Sequence, residues 1–240
     1  MPKERFFVDS DLSTVSMIEI SDKEFHHLTH VMRLDVNDDV EVVNGKGCLC
    51  LGKIEELKKK SAIVTIQEKI FKSPPSFQVI LAQASPRINR LDFILEKGTE
   101  LGMSSLWLFP GERSERIKFN EHQIERMRAV TISAMKQCGR LFLPEIVIKP
   151  ALDKWDALPF KGIYGDVHPD AKSINAAWPT INPTNGVIIF IGPESGFSDA
   201  ESKKLVQLNA HGVKLHRNIL RTDTAALAAL SVIEQMIASN

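Results

Sequence analysis

The chain of 240 residues is long enough for one large domain or two modest ones, and 43% hydrophobic and 25% charged residues are ordinary for a globular protein. Thirty basic residues balance thirty acidic ones, so a nucleic-acid partner would need a local basic face. The sequence has no apolar leader and no apolar run of about eighteen residues, and its three cysteines cannot form a disulfide framework or a four-cysteine zinc site. We therefore expect a cytoplasmic protein without a membrane span.

The first seventy residues have the pattern of β-strands. Apolar stretches flank the turn residues 44–47 within 40–54, which predicts a hairpin, and 61–70 alternates as a further strand. Cys48 and Cys50 fall on one face of a strand, where a pair of small buried side chains is favoured over a metal or redox pair. The proline-rich segment 72–77 breaks the pattern and predicts a domain boundary.

We accordingly predict a first domain at 1–72 and a second at 76–240. In the second, strands alternate with helices, which indicates a parallel sheet covered on both faces, hence an α/β fold. The predicted strands are 77–84, 104–109, 162–167, 187–191 and 213–215, and the predicted helices are 90–101, one capped by Asn120, one from 199 and one from 224. The Asn120 helix carries the apolar stripe Ile124, Met127, Thr131, Ala134 and Cys138, and the rest of 144–186, with six prolines, is predicted to be mostly loop.

The final helix, from 224, has Glu234 as its one charged residue in "TAALAALSVIEQMIASN". A helix that is apolar nearly all round must be buried nearly all round. Two structures satisfy this requirement: a central core helix within one chain, or a helix that also packs against a second subunit.

The turn "IGPESGF" (191–197) follows the apolar run "GVIIF". A phosphate-binding loop would need backbone N–H groups and a cation, but Pro193 removes one N–H and Glu194 adds a negative charge. The G-x-G-x-x-G pattern of dinucleotide sites is absent as well. Ser198 and Glu201 form a predicted capping box for the next helix. The turn therefore fits a polar ligand that is not a polyanion.

A second loop, 215–222, follows the next predicted strand and ends at the potential helix cap Thr222. Parallel strands end at one edge of a sheet, so the two loops should face each other where α/β sheets bind ligands. Apolar residues such as Ile219 and Leu220 could hold a flat ring between the loops.

Six segments taken together resemble a known family. They are "HHLTHVMRL" (26–34), "RLDFILEKGTELG" (90–102), "GERSERIKF" (111–119), "AMKQCGRLFLPEI" (134–146), "IGPESGFS" (191–198) and "LHRNILRTDTAALAAL" (215–230). In this order they are similar to the SPOUT class of S-adenosylmethionine-dependent RNA methyltransferases. Within that class the likeness is to the family that methylates N3 of a uridine in small-subunit (16S) ribosomal RNA.

The resemblance implies a small PUA-like β-barrel that binds RNA, followed by a SPOUT-type parallel sheet with a C-terminal trefoil knot, and a homodimer formed through the knotted region. It implies S-adenosylmethionine as cofactor and small-subunit ribosomal RNA or a ribosomal particle as partner, without metal or membrane. The implied cofactor-binding residues are Gly192, Pro193, Glu194, Ser195, Gly196, Leu215, His216, Ile219, Leu220, Arg221 and Thr224.

Three positions depart from the family pattern. Ser195 replaces a glycine, and if its φ is positive the serine costs about 1 kcal/mol or a little more. His216 also replaces a glycine, and Asp223 replaces a longer glutamate. These departures put the exact cofactor contacts in question.

Residues 85–140 contain ten basic and seven acidic residues, the local excess that RNA binding needs. The predicted RNA-binding residues are Arg33, Arg87, Arg113, Arg116 and Arg140. Because N3 of uracil must lose a proton, we predict Arg5 as a catalytic residue that stabilises the uracil anion. Glu112, Glu115, Asp166 and His168 stay open as general bases.

His26, His27 and His30 lack a nearby third metal ligand, so we predict no metal site. Two other functions stay open at this point. One is a methyltransferase that acts on another RNA base or on ribose. The other is an RNA-binding ribosome assembly factor that has lost its cofactor.

Overall fold

The computed structural model describes residues 4–114 and 118–238 and divides into two compact units. The first unit is Met1–Pro74 with Ile132–Leu143, and the second is Pro75–Thr131 with Pro144–Asn240. The segment 132–143, which the sequence prediction assigned to the second domain, thus belongs to the first compact unit.

The first unit is built on a five-stranded sheet. Its strands are β1 (Arg5–Phe7), β2 (Met17–Ser21), β3 (Asp39–Val43), β4 (Cys48–Leu57) and β5 (Ser61–Phe71), in the order β1-β3-β4-β5-β2. Neighbours are antiparallel except β1 and β3. The short helix α1 (Asp22–His26) continues into a π-helical turn at His27–Val31. The core of the first unit contains four fully buried residues, Phe6, Ile20, Leu28 and Ile54. The antiparallel pairing of β3 and β4 confirms the predicted hairpin.

The hairpin turn between β3 and β4 binds the segment 141–143 of the same unit. Gly45 and Gly47 have φ of 70° and 93°, which glycine adopts without strain. Gly47 N–H donates to the carbonyl of Leu141 at 2.9 Å, and Leu143 N–H donates to the carbonyl of Gly45 at 2.9 Å. The turn is therefore an attachment site as well as a chain reversal.

Cys48 and Cys50 lie side by side on β4 with their Sγ atoms 3.9 Å apart, and both are buried. The predicted pair of small buried side chains is confirmed. Burial, with Cys48 as a secondary cause, raises the pKa of the Cys50 thiol to about 12.

We expect iodoacetamide at pH 8 to modify Cys138, which is half-buried, and to leave Cys48 and Cys50 unmodified in the native protein. The raised pKa means that the fold favours the neutral thiol of Cys50. The contribution of Cys50 to the free energy of unfolding is therefore complete below the unfolded-state pKa of about 8.5 and declines as the pH rises toward 12. Peptide mass spectrometry with and without denaturant checks the labelling. Modification of Cys50 in the native state would contradict it.

The second unit is an α/β unit with a six-stranded, wholly parallel sheet. The strands are β6 (Gln78–Ala84), β7 (Ser105–Phe109), β8 (Glu145–Ile148), β9 (Lys161–Gly165), β10 (Gly186–Ile191) and β11 (Ala210–Val213), in the order β11-β9-β10-β6-β7-β8. Every residue of β10 is buried, as expected for a central strand covered on both faces.

The helices are α2 (Ile88–Glu100), α3 (Glu121–Cys138), α4 (Ile174–Ile181), α5 (Asp199–Gln207) and α6 (Thr222–Ala238). Two predicted end signals are confirmed: Asn120 Oδ1 accepts from Gln123 N–H at 2.9 Å before α3, and Gly102 after α2 has φ 90°. The Ser198–Glu201 capping box of α5 is also confirmed. Helices α2 and α6 contribute Leu91, Ile94, Ala226 and Leu230 to one hydrophobic cluster.

The prediction that 144–186 is mostly loop holds for more than half of these residues, but it missed β8 and α4, which lie there. Pro144 and Pro150 flank β8, and a proline that ends an element looks the same in sequence as one in a loop. Pro179 lies inside α4. Ile124 is 40% exposed, so it does not belong to the buried stripe of α3, whereas Met127 is fully buried as predicted.

Helix α6 buries one face, with Ala226, Ala229, Leu230 and Ile233, within the single chain. Its Ser231 and Gln235 are exposed. One copy of the chain therefore does not give α6 the burial on all sides that the sequence had led us to expect.

The strand order creates a reversal of winding direction between β6 and β10. From β6 the chain proceeds to β7 and β8 on one side, and then reaches β9 on the other side, with β10 inserted between β9 and β6. In open α/β sheets, ligands bind at the carboxyl ends of the strands at such a point. This edge is where the two loops predicted from the sequence begin.

Candidate functional site

A cavity of about 770 Å³ lies at the carboxyl ends of β9 and β10, within the second unit. Its walls come from the turn after β10 and the loop after β11, which confirms that the two loops face each other. Of the residues predicted to bind a cofactor, Thr224 is not in the lining. The others line it: Gly192, Pro193, Glu194, Ser195, Gly196, Leu215, His216, Ile219, Leu220 and Arg221.

The turn at 192–197 is closed by a hydrogen bond from Gly196 N–H to the carbonyl of Pro193 at 2.9 Å. Gly196 has φ 74°, and a Cβ added there would meet nothing within 4 Å. Ser195 is not among the described non-glycine residues with positive φ. The serine is therefore accommodated without left-handed strain, and the cost considered from the sequence does not arise.

A buried polar network connects the ends of β6 and β10 with the start of α6. Thr222 Oγ1 donates to the carbonyl of Gly192 at 2.9 Å and accepts from Gln83 Nε2 at 2.9 Å. Gln83 is fully buried, and its Nε2 also donates to the carbonyl of Ala84 at 3.0 Å. The network holds the first residue of the turn against the end of the second loop. Thr222 was predicted only as a helix cap.

The loop at 215–222 presents both apolar and polar groups to the cavity. Ile219 is 86% exposed, whereas Leu215 packs against the core of the second unit. His216 Nδ1 accepts from Asn218 N–H at 3.1 Å, a local turn that uses the histidine side chain. The exposed face of Ile219 is available to an apolar part of a ligand.

Charged groups of both signs line the cavity. Glu194 and Asp166 are acidic, and four basic residues accompany them: Arg113, Lys214, Arg217 and Arg221. Arg113 Nη1 donates to the carbonyls of Ser195 and Phe197 at 3.1 and 3.4 Å. A ligand that carries both a positive and a negative group can therefore find a partner of opposite charge for each in this lining.

Tyr164, at the end of β9, is a cavity residue that sequence reasoning missed. Its ring contacts Phe197 edge-on, with centroids 6.3 Å apart. Burial, followed by the nearby Asp166, raises the pKa of the Tyr164 hydroxyl. The sequence did contain an indication of this role. Tyr164 is an aromatic residue near the end of the predicted strand 162–167, at the sheet edge where the two loops were expected to lie.

The remaining predicted residues lie in different places. Arg5 donates to Glu41 Oε2 from Nε at 2.8 Å and from Nη2 at 2.6 Å, and its side chain is only 8% exposed. Arg33 is exposed with φ 57°, and Arg87 is the residue that precedes α2. Arg140 accepts from Arg5 Nη1 through its carbonyl at 3.5 Å. Arg116 and Glu115 fall outside the described residues.

Among residues 4–114 and 118–238, no cluster of three or more histidine, cysteine, aspartate or glutamate side chains has metal-binding geometry. No helix within these same residues has the length and apolarity that a membrane crossing requires.

The fold and the site define a class of protein: a parallel α/β sheet with a ligand cavity of mixed charge between two loops, accompanied by a small β-sheet unit. The chain belongs to the RNA methyltransferase family. The model of the RNA methyltransferase domain matches residues 72–234, and that of the RNA methyltransferase PUA domain matches residues 20–67. The resemblance predicted from the sequence is thus confirmed.

Similar proteins agree with this assignment. The ribosomal RNA small subunit methyltransferase E of Buchnera aphidicola is 26% identical, covering 97% of this chain and 93% of its own; that of Rickettsia conorii is 27% identical, covering 97% and 96%. A ribosomal RNA small subunit methyltransferase E from Neisseria gonorrhoeae, crystallised with S-adenosylmethionine, superposes with a TM-score of 0.85 at 25% identity, covering 97% of both chains. A putative methyltransferase from Legionella pneumophila, also with S-adenosylmethionine, superposes with a TM-score of 0.85 at 26% identity, covering 98% of both.

Proposed function

We propose that this protein transfers the methyl group of S-adenosylmethionine to N3 of a uridine in small-subunit ribosomal RNA. The observation that carries the proposal is the cavity between the two loops, in a chain that belongs to an RNA methyltransferase family. The relatives named above support the choice of substrate and cofactor.

The residues present fit the cofactor. Its amino acid part carries an ammonium and a carboxylate and its sulfur is cationic, and the cavity lining offers acidic and basic side chains together with exposed backbone at Gly196. Ile219 and Leu220, which line the cavity, would supply apolar contacts for the adenine ring. When bound, S-adenosylmethionine supplies an electrophilic methyl group on cationic sulfur.

The protein's own part in the reaction is positioning and charge. N3 lies on the Watson–Crick edge, so the uridine must be unpaired or flipped before it reaches the cavity. A new N–C bond forms as the S–C bond breaks, and the N3 proton passes to a base or to solvent. Of the proposed general bases, Asp166 lines the cavity and also accepts from His168 N–H at 2.9 Å.

The assignment of Arg5 as a catalytic residue stays a prediction. Its nearly buried pairing with Glu41 favours a role inside the first unit. Arg33, Arg87, Arg116 and Arg140 likewise remain proposed RNA-binding residues, while Arg113 is better supported as a residue that holds the turn, because its guanidinium contacts the turn carbonyls.

The proposal includes a trefoil knot in the second unit and a homodimer. The insertion of β10 between β6 and β9 supports a chain path of the SPOUT type. Helix α6 has Glu234 as its one charged residue after Asp223, yet one chain leaves part of its surface exposed, which supports a contact with a second copy. A ribosomal substrate would place the enzyme in the cytoplasm.

Isothermal titration calorimetry with S-adenosylmethionine tests the first part of the proposal. We expect one site per chain, and absence of binding at millimolar ligand would favour an assembly factor without cofactor. Mass spectrometry of ribosomal RNA from a deletion strain tests the second part. We expect loss of N3-methyluridine, whereas loss of a different methylated nucleotide would move the target to another base or to ribose.

A further inference from the structure

Arg90 occupies an electrostatically unfavourable place in its own helix. It lies in the first turn of α2, which contains no acidic residue, and Arg87 immediately precedes the same helix. The N-terminal end of a helix carries partial positive charge, which disfavours nearby cations. The position of Arg90 is therefore stabilised by groups outside α2.

Two carboxylates supply that stabilisation. Arg90 Nη1 lies 3.1 Å from Asp223 Oδ1, and Arg90 Nε lies 3.6 Å from Glu194 Oε1. The Arg90 and Asp223 side chains are about one-fifth exposed, at 21% and 19%, and Glu194 is 40% exposed. Asp223 Oδ1 also accepts from Thr224 N–H at 3.0 Å.

The two carboxylates belong to different segments at the cavity, and only Glu194 lines it. Glu194 is in the turn after β10, and Asp223 is in the first turn of α6, which the second loop enters. Two carboxylates that both lie within 4 Å of one guanidinium repel each other, and the guanidinium charge offsets that repulsion. A planar guanidinium can donate to two acceptors in fixed directions, which a lysine ammonium does less well.

We propose that Arg90 is a positioning residue that ties the two cofactor loops together through Glu194 and Asp223, without touching the cofactor itself. Arg90 is absent from the cavity lining, whereas Glu194 is part of it. The inference rests on the proposed function, in which S-adenosylmethionine occupies the space between these loops. The guanidinium reaches from α2 to the aspartate at 223, with Nη1 3.1 Å from Oδ1.

Calorimetry with S-adenosylmethionine on three variants tests the inference. Arg90→Ala should raise Kd about ten-fold, which corresponds to roughly 1.4 kcal/mol. Arg90→Lys should recover part of the affinity, because an ammonium can pair with one carboxylate at a time. The matched control is Arg126→Ala. Arg126, on α3, pairs at 2.6 Å with Asp92, which lies on α2 like Arg90, and its loss should leave Kd unchanged.

A double-mutant cycle separates positioning from general loss of structure. If Arg90 acts through Asp223, Asp223→Asn added to Arg90→Ala should weaken binding by less than the two single effects combined. Full additivity would contradict the bridge. Equal Kd values for Arg90→Ala and the unsubstituted protein would overturn the inference and leave the proposed function intact.

Hydrogen exchange on the ligand-free protein distinguishes failure of the Arg90 inference from failure of the proposed function. Faster exchange of the amides at 194–197 in Arg90→Ala than in Arg126→Ala would support the tie between the loops, and equal exchange would contradict it. Failure of the unsubstituted protein to bind S-adenosylmethionine would overturn the proposed function instead.

Discussion

Replacement of Thr222 by valine is expected to weaken S-adenosylmethionine binding by about ten-fold and to lower the free energy of unfolding by about 2 kcal/mol. The hydroxyl is buried, donates to the carbonyl of Gly192 at 2.9 Å and accepts from Gln83 Nε2 at 2.9 Å. Valine keeps the shape but cannot replace either bond, and the Gly192 carbonyl loses this donor. Since Gly192 begins the turn that lines the cavity, the effect reaches the ligand as well as the fold.

Thermal unfolding and calorimetry measure the two effects of Thr222→Val separately. A loss of about 2 kcal/mol corresponds to a fall in Tm of roughly 4–8 °C in a chain of this size. Thr131→Val is the matched control, because Thr131 is also buried and donates to a backbone carbonyl, that of Met127, at 2.8 Å, away from the cavity. The control should bind S-adenosylmethionine normally. Normal binding by Thr222→Val itself would show that the turn does not depend on this network.

Replacement of Gly47 by alanine is expected to destabilise the first unit by about 3 kcal/mol or more. Gly47 has φ 93°, and a Cβ there would lie 2.6 Å from the backbone carbonyl oxygen of Lys72 and 2.5 Å from Cζ of Phe142. The phenyl ring can move, but the carbonyl oxygen belongs to a chain that is fixed by the hydrogen bond from Lys72 N–H to the Gly47 carbonyl. The turn and the segment 141–143 should therefore separate.

Urea unfolding monitored by circular dichroism checks the Gly47→Ala prediction. Gly196→Ala isolates the backbone term, because Gly196 shares a positive φ of 74° but has open space around its Cβ. That control should cost only about 1–2 kcal/mol. Equal losses for the two variants would mean that the contact with Lys72 and Phe142 contributes nothing.

Arg140 lies next to the segment 141–143, so Gly47→Ala should also reduce RNA affinity if Arg140 binds RNA.

Several structural features were accessible from the sequence because they depend on local chemistry. Alternation and apolar runs identified β4, β5, β6 and β10, and asparagine, serine and glycine at helix ends identified their limits. The loops after β10 and β11 were placed together by a general property of parallel sheets, which end their strands at a common edge.

Other features depended on partners distant in sequence. Arg113 was predicted to bind RNA, yet it contacts the carbonyls of Ser195 and Phe197, more than eighty residues away in the chain. Arg5 pairs with Glu41 within the first unit. An arginine has the same sequence pattern whether its partner is a phosphate, a carboxylate or a carbonyl, so only the neighbours in the fold distinguish these roles.

The sequence by itself determined the class of fold, the family and the two segments that form the cavity. Periodicity, turn chemistry and the order of motifs depend on residues that are close in sequence or follow one another along it. Only the tertiary structure decided how those segments are held: Gln83 and Thr222 beneath the turn, Arg90 between the two carboxylates, and Tyr164 on the wall. It also decided that Ser195 is free of left-handed strain. The physical reason is that φ, burial and hydrogen-bond partners are set by packing between elements that the linear pattern does not relate.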